Sequence, residues 1–469
     1  MRRVTIVGAG MAGLATAHAL RRKAAQRAVP LEILVLEASA RAGGRIRTTR
    51  EDGYLIEWAA NAIQGAEGPA WRVAEEAGLG AERILARPDA ARRYIARHGR
   101  LHLVPLSPTA LLRFGALSPA GRLRVVLEPF FARRVAHDET VHEYAARHIG
   151  AEAATALVGA AVRGIFAGDA RRLSVDAAFP IMREMERDHR SLVFAMVAAM
   201  RKARREGRSA RETAAAATGP GRRALWGFTR GMESLASALA KPLGPALRLN
   251  APALALERGA GTGYAMRLAS GERIDSDAVV VTTAPQAAAA LLRGLDPELA
   301  RIIGSIGSAG LTVVGLAFRP EAFRTPPDGY GFLVSPGEDL EILGALFESN
   351  LFPDRAPEGR ILVRGMVGGA ERPDLITRTD AELVGLVMQA LDRTLGMASG
   401  PERTWIIRQE NAIPQYPVGH REALGKVAAR LESLPGIHLT GNAYRGVSVA
   451  SLMEDAERTA ERVLGQQEP

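Results

Sequence analysis

The chain has 469 residues, too many for one hydrophobic core, so two or three domains are expected. Its formal net charge of +10 suits an anionic membrane surface or an acidic small molecule, whereas nucleic acid is not expected as a partner, because no nucleic-acid module is recognisable and aromatic residues are few. There is no cysteine, which excludes disulfides, thiolate catalysis and any cofactor tethered through a cysteine, and the nine histidines show no metal-ligand spacing.

The first predicted element is a short apolar strand at residues 4–7, followed by a glycine-rich turn, an alanine-rich helix and a second strand that ends in an acid. The spacing G-x-G-x-x-G suits a dinucleotide, because the glycines allow a tight turn, a close approach of pyrophosphate and close packing of the helix on the strand. The acid would accept hydrogen bonds from ribose hydroxyls. Residues 1–20 could also pass for a signal peptide, but the glycine spacing favours the dinucleotide turn. The predicted contact residues are Gly8, Ala9, Gly10, Met11, Ala12, Gly13 and Glu37.

A second glycine pair follows in the segment EASARAGGRIRT, which places Gly43, Gly44 and Arg45 shortly after Glu37. This pattern resembles a flavoprotein family that includes amine oxidases, carotene desaturases and protoporphyrinogen oxidases. The resemblance implies that the dinucleotide is FAD, held non-covalently, and that this loop lies against its diphosphate and flavin. A plain turn with a surface arginine is the alternative.

The segment ARRYIAR, residues 91–97, alternates like a half-buried strand. Neighbouring side chains of a strand point to opposite faces, so one of Arg92 and Arg93 is expected to face inward. A buried guanidinium needs an anion, which could be a carboxylate of the protein itself or of a substrate.

Residues 107–150 predict basic amphipathic helices, because leucines and phenylalanines recur near helical spacing among interleaved arginines. This region could lie on a membrane surface or form an ordinary domain with a solvated basic face. No apolar run reaches the roughly 18–20 residues of a membrane span. Residues 152–200 predict helices with a loop at 164–169 and a helix N-cap at Ser174.

Strands return at about residue 246 as a meander, in which Ala253 is expected where backbone meets the adenine. Residues 300–400 predict strands and then a helix that begins at Asp380. The final segment predicts a strand, Gly441 and Asn442, a loop, and a helix that begins near Val449. The N-terminus of that helix could stabilise negative charge on a reduced flavin.

The predicted fold is multidomain, α/β and α+β. A Rossmann-like FAD-binding domain carries an inserted helical, membrane-associating domain and a mixed α+β substrate-binding domain. The FAD-binding domain is assembled from residues 1–88, 220–295 and 400–469. Residues 89–200 form the helical domain, 201–219 an exposed loop, and 296–399 the substrate-binding domain.

Several longer stretches narrow the resemblance to the protoporphyrinogen oxidase branch of that family, and the similarity runs from Val4 to Val463. The stretches are RRYIARHGRLHLVP, RGIFAGDARRLSVDAAFP, IPQYPVGH and GNAYRGV. The branch implies a porphyrinogen substrate, with a propionate held by an arginine and the macrocycle packed among apolar side chains. The implied substrate residues are Arg93, Gly164, Tyr330, Leu333, Leu346 and Met366. The further implied cofactor contacts are Trp58, Ala59, Ala60, Asn61, Ala253, Asn442, Val447, Ser448 and Val449.

The reaction that the resemblance implies is the six-electron oxidation of protoporphyrinogen IX to protoporphyrin IX, with O2 as acceptor and H2O2 as by-product, in heme biosynthesis. No general base stands out. The implied setting is the cytoplasm, at the membrane surface, with a possible homodimer and a possible hand-off of product to the next enzyme of the pathway.

Other activities remain open at this point. Coproporphyrinogen III oxidation is the main alternative, although four propionates would require more arginines. An amine oxidase is less favoured, because Gly441 and Asn442 stand where that branch usually has Gly-x-Glu. A carotene desaturase would not need a carboxylate anchor, and a non-enzymatic membrane-surface protein would not need the second glycine pair.

Two positions depart from the branch. The segment EWAANAIQ has Trp58, Ala59 and Ala60 where Gly-Pro is common, which leaves the backbone geometry against the flavin open. Near the end, Ala450 and Ser451 replace Asn-Asp. Loss of that polar helix cap would cost about 1 kcal/mol unless Ser451 substitutes.

Overall fold

The computed structural model describes residues 1–65, 68–105, 107–195, 198, 201, 225–259, 261 and 263–465. Apart from its first residue, the loop predicted at 201–219 lies outside these ranges. The strands are β1 (Arg2–Val7), β2 (Leu31–Leu36), β3 (Thr48–Glu51), β4 (Tyr54–Glu57), β5 (Ile63–Gln64), β6 (Arg83–Leu85), β7 (Arg93–Arg97), β8 (Arg100–Leu103), β9 (Leu225–Phe228), β10 (Leu247–Arg248), β11 (Ala253–Arg258), β12 (Tyr264–Leu268), β13 (Arg273–Ser276), β14 (Ala278–Val281), β15 (Ser308–Phe318), β16 (Gly331–Val334), β17 (Gly344–Phe347), β18 (Ile361–Gly368), β19 (Arg403–Pro414) and β20 (Ile437–Leu439).

The helices fall between these strands, with a π-helical turn at Ala154–Gly159. They are α1 (Met11–Gln26), α2 (Pro69–Glu76), α3 (Pro108–Leu111), α4 (Pro119–Val126), α5 (Glu128–Phe131), α6 (Val141–Ile149), α7 (Ala151–Ala153), α8 (Ala160–Phe166), α9 (Val175–Ala178), α10 (Pro180–His189), α11 (Glu233–Ala240), α12 (Pro285–Leu292), α13 (Pro297–Gly304), α14 (Glu348–Leu351), α15 (Asp380–Leu395), α16 (His420–Leu431) and α17 (Val449–Leu464). The helix starts predicted at Asp380 and near Val449 are confirmed.

A five-stranded parallel sheet, in the order β10-β2-β1-β14-β20, joins strands from three distant parts of the chain. Helix α1 packs on this sheet beside α17. Arg22 of α1 pairs with Glu457 of α17 at 2.5 Å, and Arg27 pairs with Glu461, so the two helices run in the same direction. Their N-termini therefore lie at the same edge, beyond the carboxyl ends of the strands. This arrangement confirms the predicted Rossmann-like part of the fold.

The second large sheet has seven strands, in the order β19-β15-β18-β17-β16-β7-β8. Its membership differs from the predicted domain ranges at both ends. Strands β7 and β8 had been placed with the helical domain, and β19 with the FAD-binding domain. β7 instead pairs in parallel with β16, and the twelve-residue β19 pairs along β15. Tyr94 and Ala96 of β7 and Ile406 of β19 pack into one apolar core of this sheet.

Short helices make up residues 108–189, and a buried charged cluster lies between them. The imidazole of His148 lies 2.7 Å from Glu128 and 3.3 Å from Glu186. The N-cap predicted at Ser174 is confirmed, since its hydroxyl accepts a hydrogen bond from the amide of Ala177. The loop predicted at 164–169 is shorter than expected, because α8 continues to Phe166 before a left-handed residue at 167 ends it. None of the described helices is long and apolar enough to cross a bilayer.

Candidate active site

The glycine-rich turn joins β1 to α1 in the geometry that its spacing predicted. Gly8 has φ +102°, a left-handed conformation that favours glycine. A Cβ at Gly13 would lie 1.9 Å from the carbonyl oxygen of Gly8, so only glycine allows the helix to pack this closely. The carboxylate of Glu37 accepts a hydrogen bond from the amide of Ala9 at 2.8 Å, which holds it beside the turn.

The second glycine pair lies directly against the first turn. The amide of Gly43 donates to the carbonyl of Ala9 at 2.8 Å, and a Cβ at Gly44 would lie 3.0 Å from the Cα of Gly10. Beside this contact is a cleft of about 460 Å³, lined by Gly44, Arg45, Trp58, Arg408, Gln409, Glu410 and Asn411. Burial lowers the pKa of Arg45. The structure therefore brings the two predicted loops and Trp58 to one place.

The predicted adenine-side residue, Ala253, follows a segment that runs beside Glu37. The amide of Ala251 donates to the carbonyl of Glu37 at 2.8 Å, and the amide of Asn250 donates to the carbonyl of Ser39 at 3.0 Å. Ala253 begins β11 two residues later and is only partly buried. Its backbone is thus near the acid end of β2.

The N-terminus of α17 lies at the same sheet edge as that of α1. Ser448 is its N-cap, and the hydroxyl accepts a hydrogen bond from the amide of Ser451 at 3.0 Å. The helix is therefore capped despite Ala450. Before it, the phenol of Tyr416 donates to the carbonyl of Asn442 and accepts from the amide of Gly446, which fixes the loop that carries Val447.

The segment 57–61 is held by side chains from β18 and β19. Arg364 donates to the carbonyls of Glu57 and Ala59 at 3.0 and 2.8 Å, and Gln409 donates to the carbonyl of Trp58 at 2.6 Å. Consecutive carbonyls, including that of Trp58 in place of the common glycine, are thus fixed from outside the segment. Ala60 follows them and leads to the buried Asn61.

The predicted substrate residues come together on one face of the seven-stranded sheet. Leu346, Met366, Tyr330 and Leu333 belong to one apolar cluster. Gly164, which lies within α8 rather than in a loop, packs on them, since a Cβ there would lie 2.7 Å from a methyl group of Leu333. Burial raises the pKa of the Tyr330 phenol, so it remains a hydrogen-bond donor at neutral pH.

Arg93 lies beside this group, but its exposure to solvent differs from the prediction. It was expected to be buried, but it is exposed as the first residue of β7, where the strand begins at the edge of the apolar cluster. Its guanidinium lies over the Tyr330 ring, 5.3 Å from the centroid. Arg92 is also exposed and pairs with Asp328 at 2.5 Å. Among the described residues, no carboxylate is within ion-pair distance of Arg93.

Two buried charged residues near the site were missed from the sequence. Glu348 directly follows β17, and Arg364 lies within the apolar β18, with Arg364 Nε 2.9 Å from Glu348 Oε1. An arginine inside the run ILVRGMVG is unusual for a buried strand, so the sequence alone could have singled out Arg364 as a candidate site residue. Its partner could not be identified without the strand pairing.

The residues at the sheet edge fit a dinucleotide with a flavin ring. Two glycine loops meet without side chains between them, the N-cap of α1 is Gly10 with no side-chain cap, and Glu37 is oriented at the turn. A helix N-terminus without a capping side chain leaves amide groups for phosphate oxygens. Arg45 and the fixed carbonyls of 57–59 continue this surface towards the apolar cluster.

Comparison with known proteins agrees with this geometry. A coproporphyrinogen III oxidase of Bacillus subtilis is 27% identical over 99% of this chain and 98% of its own, and a protoporphyrinogen oxidase of Bos taurus is 30% identical over 99% and 98%. A crystal structure of a proposed protoporphyrinogen oxidase from Exiguobacterium sp. 255-15 matches with a TM-score of 0.82, 25% identity and coverage of 99% of both chains.

The family match covers nearly the whole chain. Residues 11–464 match the family described as flavin containing amine oxidoreductase. A reduced UDP-galactopyranose mutase shares the fold with a TM-score of 0.72 at 17% identity, over 99% of this chain and 94% of its own. The chain therefore belongs to the flavin-containing amine oxidoreductase family, and its cofactor is FAD.

Proposed function

We propose that the protein oxidises protoporphyrinogen IX to protoporphyrin IX with O2 as the electron acceptor. The observation that carries this proposal is the apolar cluster of Tyr330, Leu333, Leu346 and Met366 with Arg93 at its edge. Protoporphyrinogen IX is a largely apolar macrocycle, puckered at its sp3 methylene bridges, with its two propionates at one end. An apolar wall with a cation that has no carboxylate partner among the described residues matches both parts of such a molecule.

The charges on this face favour a substrate with few carboxylates. Arg364 is neutralised by Glu348, and Arg163, next to Gly164, is neutralised by Glu371. Within the part of the chain that the structure describes, Arg93 is the one of these three arginines without an acidic partner. One such anchor suits the two propionates of protoporphyrinogen IX better than the four of coproporphyrinogen III. The similarity to the Bacillus subtilis enzyme keeps coproporphyrinogen III as the second candidate.

The roles of the chain's own residues follow from their positions. Arg93 binds a propionate, and the apolar cluster packs against the ring and excludes water from it. Held by the two glycine loops and segment 57–61, FAD would supply the redox chemistry, which is hydride removal from a ring carbon with O2 as the final electron acceptor and H2O2 as by-product. The substrate loses six electrons in total, so three such cycles consume three O2 and release three H2O2.

A side-by-side fluorescence assay tests this function. The purified, FAD-loaded protein is expected to convert protoporphyrinogen IX with a kcat/KM at least about tenfold above that for coproporphyrinogen III, because the additional propionates lack cationic partners and would be desolvated unpaired. Porphyrin emission measures both products. A preference for coproporphyrinogen III would establish the second candidate, and no porphyrin from either substrate would refute porphyrinogen oxidation.

Membrane attachment through the helical region belongs to the same proposal. Five apolar side chains of residues 107–135 are exposed, with Phe130 at 84%. Arg113, Arg133 and Arg134 are exposed on the same short helices and turns. An exposed apolar surface flanked by cations suits an anionic bilayer surface, where a porphyrinogen would also partition. The exposed apolar side chains are Leu112, Leu123, Val126, Phe130 and Phe131.

The double variant F130S/F131S is expected to bind anionic vesicles at least about tenfold more weakly than the unaltered protein, because two exposed phenylalanines no longer insert among the acyl chains. Sedimentation with vesicles of phosphatidylserine and phosphatidylcholine, at low and high salt, measures the effect. Leu254→Ser is the control, since Leu254 is similarly exposed on β11, outside the helical region. Equal sedimentation of the double variant and the control would contradict attachment through this surface.

A further inference from the structure

A charged pair, Glu348 and Arg364, is buried behind the apolar cluster. Glu348 is 1% exposed and Arg364 is 4% exposed, and their closest side-chain atoms are 2.9 Å apart. Strand pairing places Arg364 opposite Leu346, and Leu346 opposite Gly331. Arg364 therefore lies on the same face of the sheet as the predicted substrate residue Leu346, and Glu348 pairs with Arg364 there.

This pair holds the segment 57–61 at several points. Arg364 donates to the carbonyls of Glu57 and Ala59, and Glu348 accepts from the side-chain amide of Asn61 at 3.2 Å. In the described ranges, no other side chain binds two carbonyls of this segment at once. Trp58, between these points, lines the cleft shared with Gly44 and Arg45. The position of the cofactor-facing backbone thus depends on two residues outside it.

The same pair is connected to the substrate anchor. The phenol of Tyr330 donates to Asn61 Oδ1 at 3.4 Å, and the amide nitrogen of the same Asn61 side chain donates to Glu348. The ring of Tyr330 lies beneath the guanidinium of Arg93. A continuous series of contacts therefore runs from Arg93 through Tyr330 and Asn61 to Glu348 and Arg364, and from there to the carbonyls of segment 57–61.

We propose that Glu348 and Arg364 are positioning residues, which fix segment 57–61 against the flavin and align it with the substrate face. A buried ion pair alone is weak evidence of a role in stability, because desolvation of the charges offsets their attraction and an apolar pair can replace it. What an apolar pair cannot replace is the set of hydrogen bonds to the two carbonyls and to Asn61. The substrate half of this proposal rests on the proposed function, whereas the cofactor half does not.

Two variants separate positioning from stability. In E348L/R364M the charges are replaced together, so no buried charge is left unpaired. In R364K the charge stays paired with Glu348, but an ammonium cannot reproduce the planar donor geometry that spans two carbonyls. Both are expected to fold with a modestly lowered melting temperature, because buried hydrogen bonds are lost while no buried charge is left unpaired. Both are expected to bind FAD about tenfold more weakly and to show an altered visible flavin spectrum, because the carbonyls lose their donors.

The measurements are the FAD dissociation constant by titration of apoprotein, the flavin absorbance spectrum, the melting temperature and, for porphyrinogen, kcat and KM separately. A fall in kcat larger than any rise in KM is expected. Unchanged FAD affinity and spectrum in both variants would overturn the proposal, and so would failure of both to fold, since the pair would then be structural. If only E348L/R364M fails to fold, the FAD affinity and flavin spectrum of R364K alone decide whether the pair positions the segment. The FAD measurements need no porphyrinogen, so an unaltered protein inactive on porphyrinogens would refute the proposed function alone.

Discussion

Gly13→Ala is expected to weaken FAD binding by roughly a hundredfold or more, which is about 2.7 kcal/mol. The new methyl group would lie 1.9 Å from the Gly8 carbonyl oxygen and 2.9 Å from the hydroxyl of Thr282. The first contact is with backbone that cannot rotate away, so α1 has to move off β1. That movement displaces the amide groups at the helix N-terminus from the phosphates. Absorbance of the purified protein and FAD released by acid measure the loss.

Gly385→Ala is the matched control for this substitution. Gly385 is inside α15, has no positive φ, and a Cβ there would meet nothing within 4 Å. Alanine is therefore expected to leave FAD content unchanged and to stabilise the fold by about 0.4–1 kcal/mol through the unfolded chain. Full FAD occupancy in Gly13→Ala, or a loss in Gly385→Ala as large as in Gly13→Ala, would contradict the role assigned to the turn. Flavin that stays with the acid-precipitated protein would contradict non-covalent binding.

The sequence predicted those parts of the fold that are determined by local chemistry. Glycines at 8, 10 and 13 after a buried strand indicate a dinucleotide-binding turn. Thr379 and Glu382 form a capping box at the start of the helix that begins at Asp380. Sheet membership was less predictable. β7 was grouped with the helices that follow it, because nothing local to residues 93–97 shows that its partner is β16, more than 230 residues later.

In the candidate site, too, residues within local motifs were predictable, whereas residues that depend on strand pairing were not. Of the residues carried over from the family, Gly44, Arg45 and Trp58 line the cleft, and Tyr330, Leu333, Leu346 and Met366 lie in the apolar cluster. Their roles stay predictions. Glu348 and Arg364 were missed, since their meaning depends on the register of β17 against β18, which no short pattern encodes. The predicted burial of Arg93 is wrong, because a strand's first residue is not covered as its middle residues are. The choice of Arg93 over Arg92 as the substrate anchor stays a prediction.

Arg93→Ala is expected to raise the KM for protoporphyrinogen IX about ten- to a hundredfold, which corresponds to loss of a charge-assisted hydrogen bond of about 1.5–3 kcal/mol. The guanidinium is exposed without ligand, but a bound porphyrinogen would cover it and strengthen the pair with a propionate. kcat should change little, because an anchor at the edge of the cluster contacts the ground state and the transition state alike. Arg93→Lys should recover only part of the affinity, since it lacks the planar fork.

Arg92→Ala is the control that makes this result specific. Arg92 has the same charge one residue away, but it is paired with Asp328 and Asp89 at 2.5 and 3.3 Å. Its removal breaks exposed ion pairs that contribute about 0–1 kcal/mol, so KM and FAD content should stay near those of the unaltered protein. Steady-state kinetics of the three variants, with melting temperature as the folding control, decides between the two arginines. If Arg92→Ala raised KM more than Arg93→Ala, the propionate would bind on the other side of β7, and the partner of Arg93 would be the Tyr330 ring alone.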